Sequence, residues 1–276
     1  MVNSIFVTGI TGFIGSNLLQ SLLSSHKYVV NFSKNNVINE YSKEQVRIID
    51  NDNFDEGKYD AKVFINLATN YNPSPRNINE LKNIINSNIF FPVSLTNEVN
   101  ILNSLKLINT SSYLQLLDPS LQNEYSLSKQ VFIKFARSIF REINNIHIFD
   151  TFGLKDNRNK VVDVFIKKII KNESIIIPKN EIHINLSIVD DVTHSILNCI
   201  DEVYSEDLVI RSENNISLND LIQKLFDLMG RRVEVIRKGN ALDYISYVNK
   251  NIKNIYEKHS PLTFDEQLEK QIQSHL

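Results

Sequence analysis

One cysteine in 276 residues excludes an intrachain disulfide and any metal site built from several thiolates. No run of residues approaches the roughly 18 consecutive apolar positions of a membrane-spanning helix. The 30 lysines and arginines balance 32 aspartates and glutamates, and no long basic block occurs, so the chain has no electrostatic footprint for nucleic acid or an anionic membrane. Internal repeats and low-complexity linkers are absent. The chain enters an apolar run at once, with no charged leader or cleavable apolar segment, and a cytoplasmic protein is expected. Glycine is scarce too, at seven residues, yet three of the seven fall at positions 9, 12 and 15. The 42% of hydrophobic and 22% of charged residues are ordinary for a soluble globular protein with room for a large core.

Those three glycines interrupt an apolar, β-branched run from Ser4 and lead into an amphipathic segment from Asn17 to Leu23. The order is strand, tight turn, helix. Gly9 permits the sharp turn, Gly12 lets a diphosphate approach the backbone, and Gly15 lets the helix lie close on the sheet. The helix start offers unpaired N–H groups and the positive end of its dipole to phosphate, so a dinucleotide is the expected ligand. Thr11, Phe13 and Ile14, which lie between the glycines, are expected to touch it.

Further strands are expected at 28–32, 46–49, 62–68, 105–108 and 146–149, with long helices at 78–100 and 125–143 between the later ones. Such alternation predicts an α/β fold, a doubly wound parallel sheet. After about residue 150 the rhythm changes: a helix at 161–170, a strand at 174–177, and a helix for which Asp190 or Asp191 is the expected N-cap. Ser217 and Thr263 each open a capping-box pattern, and Gly230 is a fitting helix stop. The expected division is a dinucleotide-binding domain at 1–155 and a smaller α/β substrate-binding lobe at 156–276, with segments that interleave. Cys199, on the apolar side of the helix before it, is expected to be a buried structural thiol.

Tyr125 and Lys129 stand four apart, so on a helix the phenol and ammonium share one face. A neighbouring ammonium favours phenolate, which prepares a tyrosine to exchange a proton with a substrate hydroxyl or carbonyl. The strand at 105–108 runs into Asn109-Thr110-Ser111-Ser112, and the Tyr125 helix is the next element. Ligands of doubly wound sheets sit at the carboxyl ends of strands, so the serines and the Tyr–Lys face converge on the same place.

In these residues the chain resembles the extended short-chain dehydrogenase/reductases, the nucleotide-sugar epimerase/dehydratase/reductase group. Residues 8–15 are similar to the TGxxGFxG signature, Asn66-Leu67-Ala68 to [HN]-[LF]-A, Thr110-Ser111-Ser112 to [ST]-S-[ST], and Tyr125 with Lys129 completes the triad. Asn88 falls where the family has a helix asparagine. Phe152-Gly153 resembles the YG-P element, residues 189–192 VDDV, and Arg237-Lys238-Gly239-Asn240 RPGD. Within the family, the strand around Asn66 and the short serine-to-tyrosine segment look most like the bacterial CDP-abequose and CDP-paratose synthases. Those are NADPH-dependent reductases of CDP-4-keto-3,6-dideoxyhexoses, which serve surface polysaccharide (O-antigen) biosynthesis.

The resemblance implies that Ser112 polarises the 4-keto oxygen of a nucleotide-linked deoxyhexose. It implies that Tyr125 donates the proton, and that Lys129 lowers the pKa of Tyr125 and holds the nicotinamide ribose. It places Leu67, Ala68, Asn88 and Thr110 against the cofactor, Thr69, Phe152 and Arg237 against the substrate, and Asp50 on the adenine, with Asp52 contesting that role. It also implies a homodimer through the long helices. The end of the second strand, Asn31 to Asn35, has no acid to bind a ribose 2′-hydroxyl; Ser33 and Lys34 instead suit a 2′-phosphate, which predicts NADP rather than NAD. No metal is expected.

Departures from the family pattern are specific. Tyr113-Leu114 follows the serines where dehydratases carry Asp-Glu, and 13 positions separate Ser112 from Tyr125, fewer than in most members. His147 stands at one usual arginine, and Ile184, beside His183, at another. A nucleotide diphosphate must therefore lean on Arg237, Lys160 or Arg211. Two rival readings stay open: an epimerase with tightly held NAD, and a non-catalytic NADP-binding sensor.

Overall fold

The computed structural model describes the chain except residues 36, 43–45, 155, 157 and 249–250 and the side chains of Asp50 and Asn51. Its strands are β1 (Val2–Thr8), β2 (Tyr28–Phe32), β3 (Val37–Tyr41), β4 (Val46–Asp50), β5 (Tyr59–Asn66), β6 (Lys106–Ser112), β7 (Ile143–Ile148), β8 (Asp150–Phe152), β9 (Ile175–Ile177), β10 (His183–Ile188), β11 (Leu208–Ile210), β12 (Asn215–Ser217), β13 (Val235–Arg237) and β14 (Lys253–Asn254). The helices are α1 (Phe13–Ser25), α2 (Ile78–Ile85), α3 (Phe91–Glu98), α4 (Glu124–Ile139), α5 (Val161–Ile170), α6 (Val189–Asn198), α7 (Leu218–Met229), α8 (Tyr244–Tyr247) and α9 (Phe264–Gln273).

Nine strands form one sheet in the order β14-β11-β7-β6-β5-β1-β2-β3-β4. Its centre is parallel and covered on both faces, so β1, β5 and β6 are buried along most of their length. Side chains alternate between the faces. Ile5 and Val7 pack with Leu18 and Leu22 of α1 and Val192 and Ile196 of α6, whereas Phe6 packs with Leu95 of α3 and Phe132 of α4. The doubly wound α/β architecture expected from the sequence is therefore present.

One edge differs from that expectation. Instead of a parallel crossover after β2, the chain turns back through β3 and β4, both antiparallel. A parallel return needs a crossover, normally a helix, and among the described residues between 32 and 46 there is a strand and no helix. The run Val37 to Tyr41 has no period-2 alternation of apolar and polar residues; its alternating burial appears only in the folded sheet.

The helix expected at 78–100 is also interrupted. Residues Asn86–Phe90 form a π-helical turn between α2 and α3, a geometry frequent at functional sites. At α6 the N-cap is Ile188, and Asp190 and Asp191 lie in the first turn. There Asp191 still faces the positive helix end, but its carboxylate accepts from the N–H groups of His259 and Ser260 (2.7 and 2.6 Å) and the hydroxyl of Tyr256. Ser217 and Thr263 cap α7 and α9, and Gly230 ends α7 at a φ of 60°.

The second half of the chain builds a smaller body around Phe152, Ile166, Ile188, Leu221, Leu225 and Leu268. It contains the sheets β12-β10-β8 and β13-β9. Two of its strands, β11 and β14, return to the large sheet beside β7. Cys199 closes the C-terminal end of α6, buried, and its carbonyl accepts from Lys106 Nζ and Asn144 Nδ2, both at 3.1 Å. Among the described residues no helix is long and apolar enough to cross a membrane.

Candidate active site

Gly9 takes a φ of 73°, and a Cβ there would lie 2.7 Å from the backbone nitrogen of Ala68. A Cβ at Gly15 would lie 2.3 Å from the carbonyl oxygen of Gly9. The turn is closed by the Gly12 N–H donating to Gly9 O at 3.0 Å and is pinned from β2, where Asn31 Oδ1 accepts from Ile10 N at 3.1 Å. Gly12 precedes α1 without a side-chain cap, and no acid occupies the first helical turn. Unfilled N–H groups at a helix start, with backbone that tolerates no Cβ, are what a diphosphate needs.

Beside this turn lies a cavity of about 490 Å³ lined by all three glycines, Thr11, Phe13, Ile14, Ser33, Lys34, Leu67, Ala68 and Thr69. No carboxylate lines it among the described residues. Ser33 Oγ donates to Val37 O at 2.8 Å, which tightens the β2–β3 turn, and Lys34 Nζ reaches Ser87 Oγ. The structure thus brings together the sequence-predicted cofactor residues of the turn, β2 and β5. Asp50 ends β4 at the far edge of the sheet, and its side chain is outside the described residues. Asn88, in the π turn, is a hub. Its Oδ1 accepts from Asn70 N (2.8 Å) and Thr69 Oγ1 (3.2 Å), and its Nδ2 donates to Ser128 Oγ at 2.9 Å, which ties the loop after β5 to α4.

A smaller cavity of about 110 Å³ shares Ile14, Leu67, Thr69, Tyr71 and Arg158 with the first and extends to Thr110, Ser111, Ser112, Tyr125 and Lys129. Ser112 is held at three points. Its N–H donates to Gln115 Oε1 (2.9 Å), its carbonyl receives His147 Nδ1 (3.1 Å), and its Oγ accepts from Leu114 N (3.3 Å). Among the described residues its hydroxyl hydrogen has no acceptor. Ser111, one residue earlier and so on the other side of the strand, donates to Asn145 Oδ1 at 2.7 Å.

Asn123 caps α4 and so places Tyr125 and Lys129 on its buried face. Burial pushes the Tyr125 phenol above its ordinary value. A hydrogen bond with Thr69 and the positive charges of Lys160 and Arg158 pull the other way. Lys129 donates to Thr110 O at 2.8 Å, and burial lowers its ammonium to about 8. In the ligand-free protein the cations that act on Tyr125 are therefore Lys160 and Arg158.

Two residues expected at the substrate lie elsewhere. Phe152 is buried in the core of the smaller body, edge-on to Phe264 at 5.1 Å. Arg237 is exposed on β13, where it donates to Asn219 Oδ1 at 2.7 Å. Lys160 does line the cavity, together with four residues that sequence reasoning missed as site residues: Tyr71, Tyr113, Asp150 and Arg158. The Tyr71 ring meets Tyr125 edge-on at 5.0 Å and carries Lys160 Nζ 3.6 Å from its centroid. Lys160 pairs with Asp150 at 3.3 Å, and Asp150 accepts from the Tyr113 hydroxyl at 3.3 Å. Burial opposes the Lys160 charge, but Asp150 and Tyr71 hold it above the ordinary lysine value. Arg158 forks onto Asp156 and sits 4.2 Å over the Phe13 ring. The polar loops 69–77 and 154–160 carry no spacing rule; only Thr69, by the family resemblance, and Lys160, as a cation, stood out there.

A glycine turn at the first strand, a hydroxyl at the end of β6 and a Tyr–Lys face on the next helix define a dinucleotide-dependent oxidoreductase of the short-chain class. The chain belongs to the NAD dependent epimerase/dehydratase family, whose sequence model matches residues 5–209. It is an oxidoreductase-type enzyme of this nucleotide-sugar family and uses a nicotinamide dinucleotide. A CDP-abequose synthase of Yersinia pseudotuberculosis is 27% identical over 206 residues, 70% of this chain and 71% of that protein. Among solved structures, MoeE5 in complex with UDP-glucose and NAD superposes with a TM-score of 0.74 at 15% identity, covering 98% of this chain and 97% of its own. RMD from Pseudomonas aeruginosa complexed with NADPH gives 0.71 at 14% identity, covering 99% and 100%.

Proposed function

We propose that this enzyme uses NADPH to reduce the 4-keto group of a nucleotide-linked 6-deoxy or 3,6-dideoxy hexose, in the making of bacterial surface polysaccharide. The observation that carries this reading is the Ser112 hydroxyl, which has no acceptor among the described residues and lies in the same small cavity as the Tyr125 phenol, open to the glycine turn. Ser112 donates to the ketone oxygen and draws negative charge onto it; Tyr125 delivers the proton there. The bound cofactor supplies the hydride. Gly9, Gly12, Gly15 and the start of α1 hold its diphosphate, Ser33 and Lys34 its 2′-phosphate, and Lys129 its nicotinamide ribose. Lys160 and Arg158 take over the substrate-side cation role that was expected of Arg237. Tyr113-Leu114, in place of an Asp-Glu pair after Ser112, argues against dehydration. The similarity to a CDP-abequose synthase supports a reductase.

The test is incubation with NADPH and CDP-, dTDP-, GDP- and UDP-linked 4-keto sugars, following absorbance and product mass. A gain of two mass units with stoichiometric NADPH oxidation is expected. An isomeric product without net oxidation points to the epimerase, and binding without turnover to the sensor. Lys34→Ala is expected to weaken NADPH about tenfold or more, the loss of one charge-assisted contact, and to leave NADH within about twofold. Equal effects on both cofactors would sink the 2′-phosphate assignment.

The enzyme is further proposed to be a homodimer. Leu127, Val131 and Phe135 lie four apart along the outer face of α4 and are 44%, 38% and 50% exposed, an apolar stripe on a helix whose other face is buried. Phe135→Glu is expected to yield a monomer in sedimentation. An unchanged sedimentation coefficient places the interface elsewhere.

A further inference from the structure

A row of amides crosses the middle of the sheet where apolar side chains are the rule. Thr8 pairs in register with Asn66, Asn66 with Asn109, and Asn109 with Asn145, on four adjacent strands. All four are 2% exposed or less. Buried polar groups are tolerated at this depth only when fully satisfied, and here each is satisfied in one direction.

The direction is set at one end by a group that can only accept: the Asp207 carboxylate is hydrogen-bonded by the Asn145 side chain, which turns Nδ2 of that amide outward and its Oδ1 back along the row. At the other end the Ala68 N–H donates to Thr8 Oγ1 (3.2 Å), and the Thr8 hydroxyl donates to Asn66 Oδ1 (2.7 Å). Asn66 Nδ2 then donates to Asn109 Oδ1 (3.0 Å), and Asn109 Nδ2 to Asn145 Oδ1 (2.9 Å), which also receives the Ser111 hydroxyl. Asn145 therefore presents Nδ2, a donor, to His147 Nε2 at 3.2 Å. His147 Nε2 also lies 3.1 Å from Asp207 Oδ2, and Asp207 pairs with Arg137 at 2.7 Å. His147 Nδ1 faces the carbonyl of Ser112 at 3.1 Å.

We propose that His147 is a positioning residue for Ser112 and that the amide ladder decides which of its nitrogens carries the proton. The proposal rests on the reading of Ser112 given above. In the neutral ring Nε2 accepts from Asn145, so the proton sits on Nδ1. In the charged ring Nε2–H donates to Asp207, and Nδ1 keeps its proton. Either way Nδ1–H donates to the Ser112 carbonyl and fixes the last peptide of β6. The N–H of Ser112 is fixed by Gln115, so the Cα–Cβ direction of the serine is set from both sides. A displacement of about 1 Å in such a group costs up to about 10²-fold in rate.

His147→Leu, which removes the donor, is expected to lower kcat about tenfold or more with KM and NADPH affinity within about twofold. His147→Asn, whose amide can still donate toward Ser112 O, is expected to recover most of kcat. Nitrogen-15 spectra of histidine-labelled protein are expected to show His147 protonated at Nδ1 in the wild type. In Asn145→Leu the neutral ring is expected to move its proton to Nε2, toward Asp207. Full kcat in His147→Leu overturns the positioning role. So does a loss in His147→Leu that His147→Asn does not restore, or that falls equally on melting temperature and NADPH binding. A wild-type ring unprotonated at Nδ1 overturns the ladder. The spectra need no substrate and judge the ladder alone, whereas full turnover in Ser112→Ala would show that the reading of Ser112 is at fault.

Discussion

Replacing Tyr125 by phenylalanine is expected to lower kcat for the proposed ketone reduction by about 10²–10⁴-fold, the range of a lost general acid, and to leave dinucleotide binding intact. The phenol is 5% exposed and faces a cavity shared with Ser112, and its ring packs edge-on against Tyr71. Phenylalanine keeps that packing, so melting temperature and cofactor affinity isolate the hydroxyl. The ligand-free structure adds a second expectation. Burial raises the Tyr125 phenol, and the charges of Lys160 and Arg158 oppose that rise. Lys160→Met should therefore shift the alkaline limb of the pH–rate profile upward, because the phenolate loses a stabilising charge. Turnover that survives in Tyr125→Phe removes this tyrosine from the chemistry and leaves the cavity in need of another proton donor.

Gly15→Ala is the second large effect, and it falls on the cofactor. The new Cβ would stand 2.3 Å from Gly9 O and 2.5 Å from Ile10 Cα, both backbone atoms that cannot rotate away. Overpacking of this kind costs about 1–3 kcal/mol in stability. The turn has to move to relieve it, which carries its N–H groups off the diphosphate and weakens NADPH by about tenfold or more. Gly230→Ala is the control: its φ is 60° and nothing lies within 4 Å of the added methyl. It should cost about 1–2 kcal/mol of backbone strain and leave NADPH affinity unchanged. Calorimetry and cofactor titration on both variants separate a damaged fold from a damaged site. Wild-type affinity in Gly15→Ala would mean that the diphosphate lies away from this turn.

The parts of the fold and candidate site that were legible in the sequence are those encoded by short spacing. Gly9, Gly12 and Gly15 mark a turn because each lacks a Cβ where backbone approaches. Tyr125 and Lys129 share a face because a helix repeats every 3.6 residues. The strand at 62–68 shows as a nearly apolar run because both faces of the sheet are covered there. Features that depend on pairing between distant segments were not legible. Asn66, Asn109 and Asn145 are 43 and 36 residues apart in sequence, and nothing local says that parallel register aligns them. Tyr71 and Arg158 come from polar loops without period, and they reach the cavity only because β5 and β8 end beside it. The β3 hairpin was missed for a related reason: Val37 to Tyr41 carries no period-2 pattern, and it is pairing with β2 and β4 that makes it a strand.

The single cysteine also has a use. Burial pushes the Cys199 thiol up to about 11, and the thiol lies where α6 meets the sheet. A chain with one such group carries its own label for opening of that seam. Alkylation in the native state has to wait for the seam to part, so its rate against denaturant reads the stability of this junction without an added probe. Cofactor that closes the glycine turn on the same face, through α1 packed on α6, would appear as a slowing of that single reaction.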